Sequence, residues 1–407
     1  DVKEKWYQTV RNVCNEYSQN VLKEIGINKE EFDEYFLKLE NSKVENIDFP
    51  EEDKLFIKKF KEKTKGIKSE RVRKILEIQR EWTEQLKKCD EVELYIIKST
   101  VIIAGTCTGF VSNRIIRDVE FDYVIVDEAA KATFPELAVS LNKAHKIILV
   151  GDHQQLPPVL DTEIIRSNKE RLDEESLAQG IFEKMYNIFP ESNKHRLSIQ
   201  YRMHPTIGTL ISHVFYNDEI QNGVETQDRE LYIEGYEGIA IEWISTSKFP
   251  TKDRYEKVFE NNGKKSYQNY LERNIIEKKL LELDSKLTQR IKVAVITGYG
   301  PQKYIIQTMV KQHSFRNLEI DVDTVDAFQG SQKDIILYST VRSSANKYGI
   351  GFLKSEARIN VAFSRARCLL IIVGDISFLD NYKIRGNKFP EIIKYIEESE
   401  GCRIIEK

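Results

Sequence analysis

The sequence predicts an α/β protein in which two doubly wound parallel sheets follow one another behind an N-terminal helical segment. Three observations predict it. Short apolar runs without polar alternation, such as Tyr123-Val124-Ile125-Val126 and Ile147-Ile148-Leu149-Val150, read as strands buried on both faces. A second set repeats the pattern at Val293-Ala294-Val295-Ile296, Ile335-Ile336-Leu337-Tyr338 and Leu369-Leu370-Ile371-Ile372-Val373. Ahead of both, from Trp6 to about Leu94, apolar residues recur at helical spacing among Lys and Glu.

In that first segment Phe32, Phe36 and Leu39, then Ile75, Ile78, Trp82 and Leu86, mark the apolar faces of two or three long helices. Two readings are open for them, an arm packed beside a binding channel or a charged helical spacer. At Ser99 the character changes, and Val101-Ile102-Ile103-Ala104 reads as the first strand. The first three runs end in small or polar residues: Thr106, then Asp127-Glu128, then Gly151-Asp152. In a doubly wound sheet the carboxyl ends of the strands form the ligand crevice, so these residues are expected along one edge. Pro190-Glu191-Ser192-Asn193-Lys194 interrupts the periodic pattern. The expected division is therefore a helical stalk or insertion over 1–98, a partial first sheet domain over 99–195 and a second over 196–407.

A chain of 407 residues, 41% hydrophobic, can bury two domain cores with residues left over for an insertion. Its 62 Lys and Arg nearly balance its 65 Asp and Glu, giving a net charge of −3. This argues against a protein that coats nucleic acid by bulk charge and leaves a local groove open. The five cysteines form no CxxC pair and the six histidines show no ligand spacing, which argues against a disulfide framework and a structural zinc site. No apolar run reaches the roughly 18 residues that span a bilayer, and Asp1-Val2-Lys3-Glu4-Lys5 lacks the apolar core of a signal peptide. The expectation is a cytoplasmic protein with no membrane partner.

Asp127-Glu128 follows an apolar strand directly, and two adjacent carboxylates there have different tasks open to them. One can hold Mg²⁺ while the other orients a water toward a γ-phosphate; equally, a solvated acidic pair can simply start a helix. The next strand ends in Gly151-Asp152-His153-Gln154-Gln155-Leu156-Pro157-Pro158, a stiff turn that sets an amide beside the first site. Together the two segments are far more specific than either alone.

The string Val124-Ile125-Val126-Asp127-Glu128-Ala129-Ala130, with Gly151 to Pro158, resembles motifs II and III of superfamily 1 helicases. The chain is similar to the branch containing the nonsense-mediated-decay helicase and senataxin. Gln200-Tyr201-Arg202-Met203-His204-Pro205 resembles the opening of that branch's second RecA-like domain. Ile296 to Gln302 resembles motif IV, Thr324-Val325-Asp326-Ala327-Phe328-Gln329-Gly330 motif V, and Arg358 to Arg367 motif VI. The match covers roughly residues 99 to 375, and it implies two tandem RecA-like domains.

The resemblance implies roles. Asp127 would coordinate Mg²⁺, Glu128 would be the general base, Gln155 would touch the γ-phosphate and Tyr201 would stack on adenine. Arg202 and Arg365 would be arginine fingers, because charge builds on the γ-phosphoryl oxygens and guanidiniums brought across a cleft make hydrolysis depend on closure. For Arg358 and Arg367 ordinary salt bridging is an equal reading. Gly330 and Gln332 fall where the family meets the nucleotide, and Thr106 and Thr324 where it touches a strand backbone, although either hydroxyl can equally satisfy a local amide.

Two departures stand out. No G-x-x-x-x-G-K-[ST] phosphate loop is present, and Asn262-Gly263-Lys264-Lys265-Ser266 lacks the earlier glycine and the strand-to-helix context. In the family the loop lies upstream of the stalk-like insertion, and this chain opens on Asp1 inside what resembles that insertion. The expectation is a loop supplied from a missing N-terminal segment or by a partner chain. After Gln329-Gly330-Ser331, Gln332 stands where the family usually has glutamate. The resemblance thus implies an ATP- and Mg²⁺-dependent helicase or translocase, moving 5′ to 3′ on single-stranded DNA or RNA, with ATP hydrolysed between the two RecA-like domains. The competing reading is a nucleic-acid-binding scaffold or pseudo-ATPase.

Overall fold

A parallel strand forms only where a neighbour accepts its ladder, and it is buried on both faces only where layers cover both. These two conditions decide which apolar runs become buried strands. The computed structural model describes residues 90–116, 119–158, 180–261, 264–345, 349–381 and 383–406. The helices expected around Phe32 to Leu39 and Ile75 to Leu86 lie outside them. The chain separates into two compact units, Asp1–Ile103 and Ala104–Lys407.

In the first unit the described residues form helix α1 (Asp90–Ser99) and an extended segment after it. The strand expected at Val101–Ala104 does not form. Val101 and Ile102 are 97% and 80% exposed, and among the described residues no strand pairs with them.

The second unit opens with α2 (Cys107–Ser112), β1 (Phe121–Val126), α3 (Phe134–Leu141), β2 (Ala144–Leu149) and α4 (Ile181–Ile188). Strands β1 and β2 pair in parallel, with Val126 opposite Leu149. Helix α3 starts on a reciprocal cap, Glu136 accepting from the backbone N–H and hydroxyl of Thr133 at 2.8 Å each. Val126, Ala129, Ala130, Leu137 and Phe182 make a small core. The expectation of burial on both faces is not met here: Tyr123, Ile125, Ile147 and Ile148 remain exposed, because the described helices cover the Val124 and Val126 side alone.

Residues Glu191–Asn193 form a single 3₁₀ turn where the pattern break was read. Beyond it lie α5 (Pro205–Tyr216), β3 (Ile241–Ser245), the hairpin β4 (Lys257–Asn261) and β5 (Lys264–Gln268), α6 (Tyr270–Lys286), β6 (Ile291–Thr297), α7 (Gly300–Lys311), β7 (Leu318–Thr324), β8 (Lys333–Ser339), α8 (Glu356–Phe363), β9 (Ala366–Gly374), α9 (Phe389–Glu398) and β10 (Cys402–Glu406). Six strands form one sheet in the order β10-β3-β9-β8-β6-β7, every pairing parallel. Asn261 pairs with Lys264, so Lys264 opens a strand and not a helix.

This sheet is covered on both faces. One core gathers α5, α8 and α9 around Trp243, Ile296, Tyr338 and Ile372, the other α6 and α7 around Val293, Leu337 and Ile371. Trp243 is fully buried, its indole N–H donating to the Gly374 carbonyl at 3.2 Å. Leu156, from the turn after β2, packs into the first of these cores. Two RecA-like lobes thus share the second unit, the first with a two-stranded and the second with a six-stranded sheet among the described residues.

Candidate active site

The site begins where β1 must leave its sheet. Val126 is buried and the next two residues are carboxylates in solvent. Glu128 adopts φ +54°, a left-handed conformation that costs a non-glycine residue on the order of 1 kcal/mol. The turn is held by the Glu128 N–H donating to Asp127 Oδ1 at 2.9 Å, the Ala129 N–H donating to the Val150 carbonyl at 2.8 Å, and the complete burial of Ala129. Gly151 is required opposite it: a Cβ there would lie 2.8 Å from the Ala130 nitrogen and 3.2 Å from the Phe182 ring.

Beyond Gly151, Asp152 organises the second turn. Its Oδ1 accepts from the Gln154 N–H at 2.9 Å, and its Oδ2 accepts from Gln155 Nε2 at 2.8 Å. The Gln155 amide oxygen is thereby turned toward the second lobe. Arg365 Nη2 donates to it there at 3.2 Å.

The segment carrying Tyr201 and Arg202 is fixed by its backbone. Gln200 Oε1 accepts from the N–H groups of Arg202 and Met203 at 2.9 and 2.8 Å. Arg229 donates to the carbonyls of Tyr201 and Arg202 at 2.7 and 2.9 Å. Helix α5 then begins with Pro205, preset for a first helical turn. Tyr201 itself projects, 63% exposed.

Arg365 is a buried cation and Arg202 a half-buried one, and their hydrogen bonds all go to neutral oxygens. Arg202 donates to the Ser364 carbonyl at 3.4 Å; Arg365 donates to the Val361 carbonyl, Gln155 Oε1 and Ser364 Oγ. Burial lowers the pKa of both guanidiniums, that of Arg365 to about 10, with the Arg202 charge adding to the effect and Glu128 opposing it. Glu128 faces both, and its Oε2 accepts from Gln329 Nε2 at 3.3 Å. The fold therefore gathers Glu128, Gln155, Arg202 and Arg365 at one cleft, with Asp127 beside Glu128. Two desolvated guanidiniums near one carboxylate suit a polyanion bearing more than one charge.

The remaining expected residues are placed differently. Gly330 takes φ +81° and is exposed next to Gln329, with Gln332 exposed beyond it. Thr106 caps α2, its hydroxyl accepting from the Gly109 N–H at 3.1 Å, which is the local-amide role. Thr324 ends β7 beside Thr297. Arg358 pairs with Asp326 at 3.1 Å and Arg367 with Asp334 at 3.0 Å, so both are salt-bridged. The hairpin and the loop before α8 border a groove of about 580 Å³ lined by Lys265, Tyr267, Arg342, Phe352, Lys354 and Arg358.

Two family models, each described as an AAA domain, match residues 3–163 and 175–377. The chain belongs to the superfamily 1 helicases. Within them its similarity is to the nonsense-transcript branch. A regulator of nonsense transcripts 1 homolog of Drosophila melanogaster is 34% identical over 300 residues, covering 71% of this chain and 24% of that protein. The corresponding protein of Arabidopsis thaliana is 34% identical over 72% of this chain and 22% of its own length. An uncharacterised ATP-dependent helicase of Methanocaldococcus jannaschii is 29% identical, covering 84% of this chain and 48% of that protein. The chain spans less than half the length of these relatives.

Several residues around the site carry no signal in the sequence that marks one. Gln329 stood inside a quoted motif without an assigned role. Tyr216, Arg229 and Asn360 act through other residues, as does Asp152, which was expected at the carboxyl edge of the sheet. The sequence signals of the first three are those of a helix end, a surface arginine and a buried helical amide, none of which marks a site.

Proposed function

We propose that the protein containing this chain is an ATP-dependent helicase or translocase on single-stranded DNA or RNA, moving 5′ to 3′. The single observation that carries this is the placement of a buried Arg365 and a half-buried Arg202 against neutral oxygens beside Glu128. Desolvating two like charges costs several kcal/mol unless an anion joins them, and a nucleoside triphosphate is that anion. Charge that develops on its terminal phosphoryl group then meets both guanidiniums only when the lobes are together.

In this reading Glu128 takes the proton of the attacking water, Gln155 and the two arginines bind the terminal phosphate, and Tyr201 offers an exposed ring to the base. Asp127 would hold Mg²⁺, which would neutralise charge on the phosphates. Gly330 and Gln332 border the nucleotide. A phosphate loop would have to be supplied from outside the motifs of this chain. The expected division at 1–98, 99–195 and 196–407 and a cytoplasmic location belong to the same proposal; no helix among the described residues is long and apolar enough to cross a membrane.

The groove at Lys265, Tyr267, Phe352 and Lys354 supports the strand half of the reading, since aromatic faces stack bases and ammonium groups follow phosphates. Thr324 ends a strand of the same sheet edge and is the backbone contact in this account, with Thr106 as the counterpart in the first lobe.

The test is nucleotide binding and turnover by Arg202→Ala and Arg365→Ala in the complete protein. Turnover should fall on the order of 10³-fold or more while a fluorescent ATP analogue still binds. Turnover within tenfold of wild type in both variants would overturn the assignment.

A further inference from the structure

One hydroxyl joins the three segments that carry the phosphate-facing groups. Tyr216, the last residue of α5, is mostly buried, and its Oη donates to Asp152 Oδ2 at 2.5 Å. The same oxygen accepts from Asn360 Nδ2 at 2.8 Å. Asn360 Nδ2 also donates to the Gln154 carbonyl at 3.0 Å. Asp152 Oδ2 in turn holds Gln155 Nε2, and Gln155 Oε1 meets Arg365. The bonds run as a chain through Arg365, Gln155, Asp152, Tyr216 and Asn360, whose ends lie on α8 and the turn that follows it.

A buried tyrosine needs some partner for its hydroxyl, and any carbonyl nearby would satisfy it. The partners here are more particular. Asp152 belongs to the turn of the first lobe, Asn360 to the helix leading into Arg365, and α5 itself starts three residues after Arg202. Burial, then the Asp152 carboxylate, push the phenol far above its ordinary range, so it stays a neutral donor to a charged acceptor, the stronger kind of hydrogen bond.

We propose that Tyr216 is a positioning residue: by holding Asp152 from one side while Asn360 holds its own oxygen, it fixes the Gln155 amide between Arg365 and the terminal phosphate and ties closure of the lobes to the aim of both arginines. This rests on the ATPase reading above. Without the hydroxyl, Asp152 and Gln155 keep their own bond and the contacts to Arg365 and Asn360 remain, but Asp152 loses its tie to α5. The terminal phosphate is then sensed and the arginines are not brought into register.

The experiment compares wild type, Tyr216→Phe, Asn360→Ala and the double variant in the complete protein. The phenyl ring keeps the packing, so melting temperature should hold while kcat falls roughly tenfold with KM for ATP little changed. The affinity ratio of a non-hydrolysable ATP analogue over ADP should narrow by a similar factor. The two substitutions should be strongly non-additive, because they cut one chain of bonds. Unchanged kcat and unchanged triphosphate preference in Tyr216→Phe overturn the proposal. If wild type neither hydrolyses ATP nor prefers the triphosphate, the ATPase reading on which the proposal rests is what fails, and the proposal falls with it.

Discussion

Arg365 Nη2 donates to the side-chain oxygen of Gln155 at 3.2 Å, a bond between residues 210 positions apart. It joins the turn after β2 to the turn after α8, and so the first lobe to the second. Neither partner is charged in a way that demands the other, so the bond reports on position. Its strength depends on keeping water out and on the Asp152 carboxylate behind Gln155.

Gln155→Ala should leave Arg365 buried with one fewer acceptor. An unsatisfied buried donor costs about 1–3 kcal/mol, and the guanidinium is expected to swing away from the cleft. Strand-stimulated ATP turnover should drop on the order of a hundredfold, as measured by steady-state phosphate release. Gln155→Glu should behave differently, pairing Arg365 tightly and weakening ATP binding by repulsion of the terminal phosphate.

Gly151→Ala tests the packing that sets Glu128. The new methyl would meet the Ala130 nitrogen and the Phe182 ring, and overpacking of this kind typically costs 1–3 kcal/mol. Thermal unfolding of the first lobe should shift down by several degrees, while Gly330→Ala, in open space at φ +81°, should cost only the backbone strain of about 1 kcal/mol.

Glu272 gives a pH dependence of known sign. It is completely buried, and its carboxyl accepts from Ser339 Oγ at 2.6 Å, the Val341 N–H at 2.9 Å and Thr340 Oγ1 at 3.1 Å. Burial pushes its pKa up to about 8 from 4.5. The folded protein therefore holds a proton that the unfolded chain has released between those values. The stabilising contribution is complete below about pH 4.5 and is lost as pH rises through about 8. Glu272→Gln, which cannot ionise, should gain melting temperature relative to wild type steadily from pH 5 to pH 8.5. A difference independent of pH contradicts this.

Tyr267→Ala and Lys354→Ala separate the two parts of the groove. Loss of a stacking ring should weaken binding of an unstructured oligonucleotide by about 1–3 kcal/mol with little change in salt dependence. Loss of the ammonium should reduce the slope of log affinity against log salt by roughly one contact. Fluorescence anisotropy over a salt series measures both.

Much of this was legible in the sequence, for physical reasons that differ by residue. The runs at 293–296, 335–338 and 369–373 became β6, β8 and β9 because strands covered on both faces carry no polar alternation. The strand β7 was hidden since Leu-Glu-Ile-Asp-Val-Asp-Thr alternates as an edge strand does. Strand β3 was hidden by Glu242, whose buried carboxylate is satisfied by Tyr236, Lys279 and Arg403 from three other segments. The run at 101–104 misled for the opposite reason: an apolar segment without a pairing neighbour has a strand's composition and no ladder. At the site, Asp127, Glu128, Gln155, Arg202 and Arg365 were singled out by the motifs they stand in, and the fold brings Glu128, Gln155, Arg202 and Arg365 to one cleft. Tyr216, Asn360 and Arg229 were not, because they act on other side chains or on backbone, and such partners are set by the fold.

The central claim is that the cleft between the two lobes hydrolyses ATP in response to a nucleic-acid strand. The most direct test is ATP hydrolysis by the complete protein, with and without single-stranded DNA and RNA, alongside Glu128→Gln. The account predicts turnover stimulated by at least one polymer and reduced on the order of a thousandfold by Glu128→Gln, since removal of the general base leaves binding intact. Turnover absent with both polymers, or equal in the Glu128→Gln variant, would contradict it and leave a strand-binding protein without a motor.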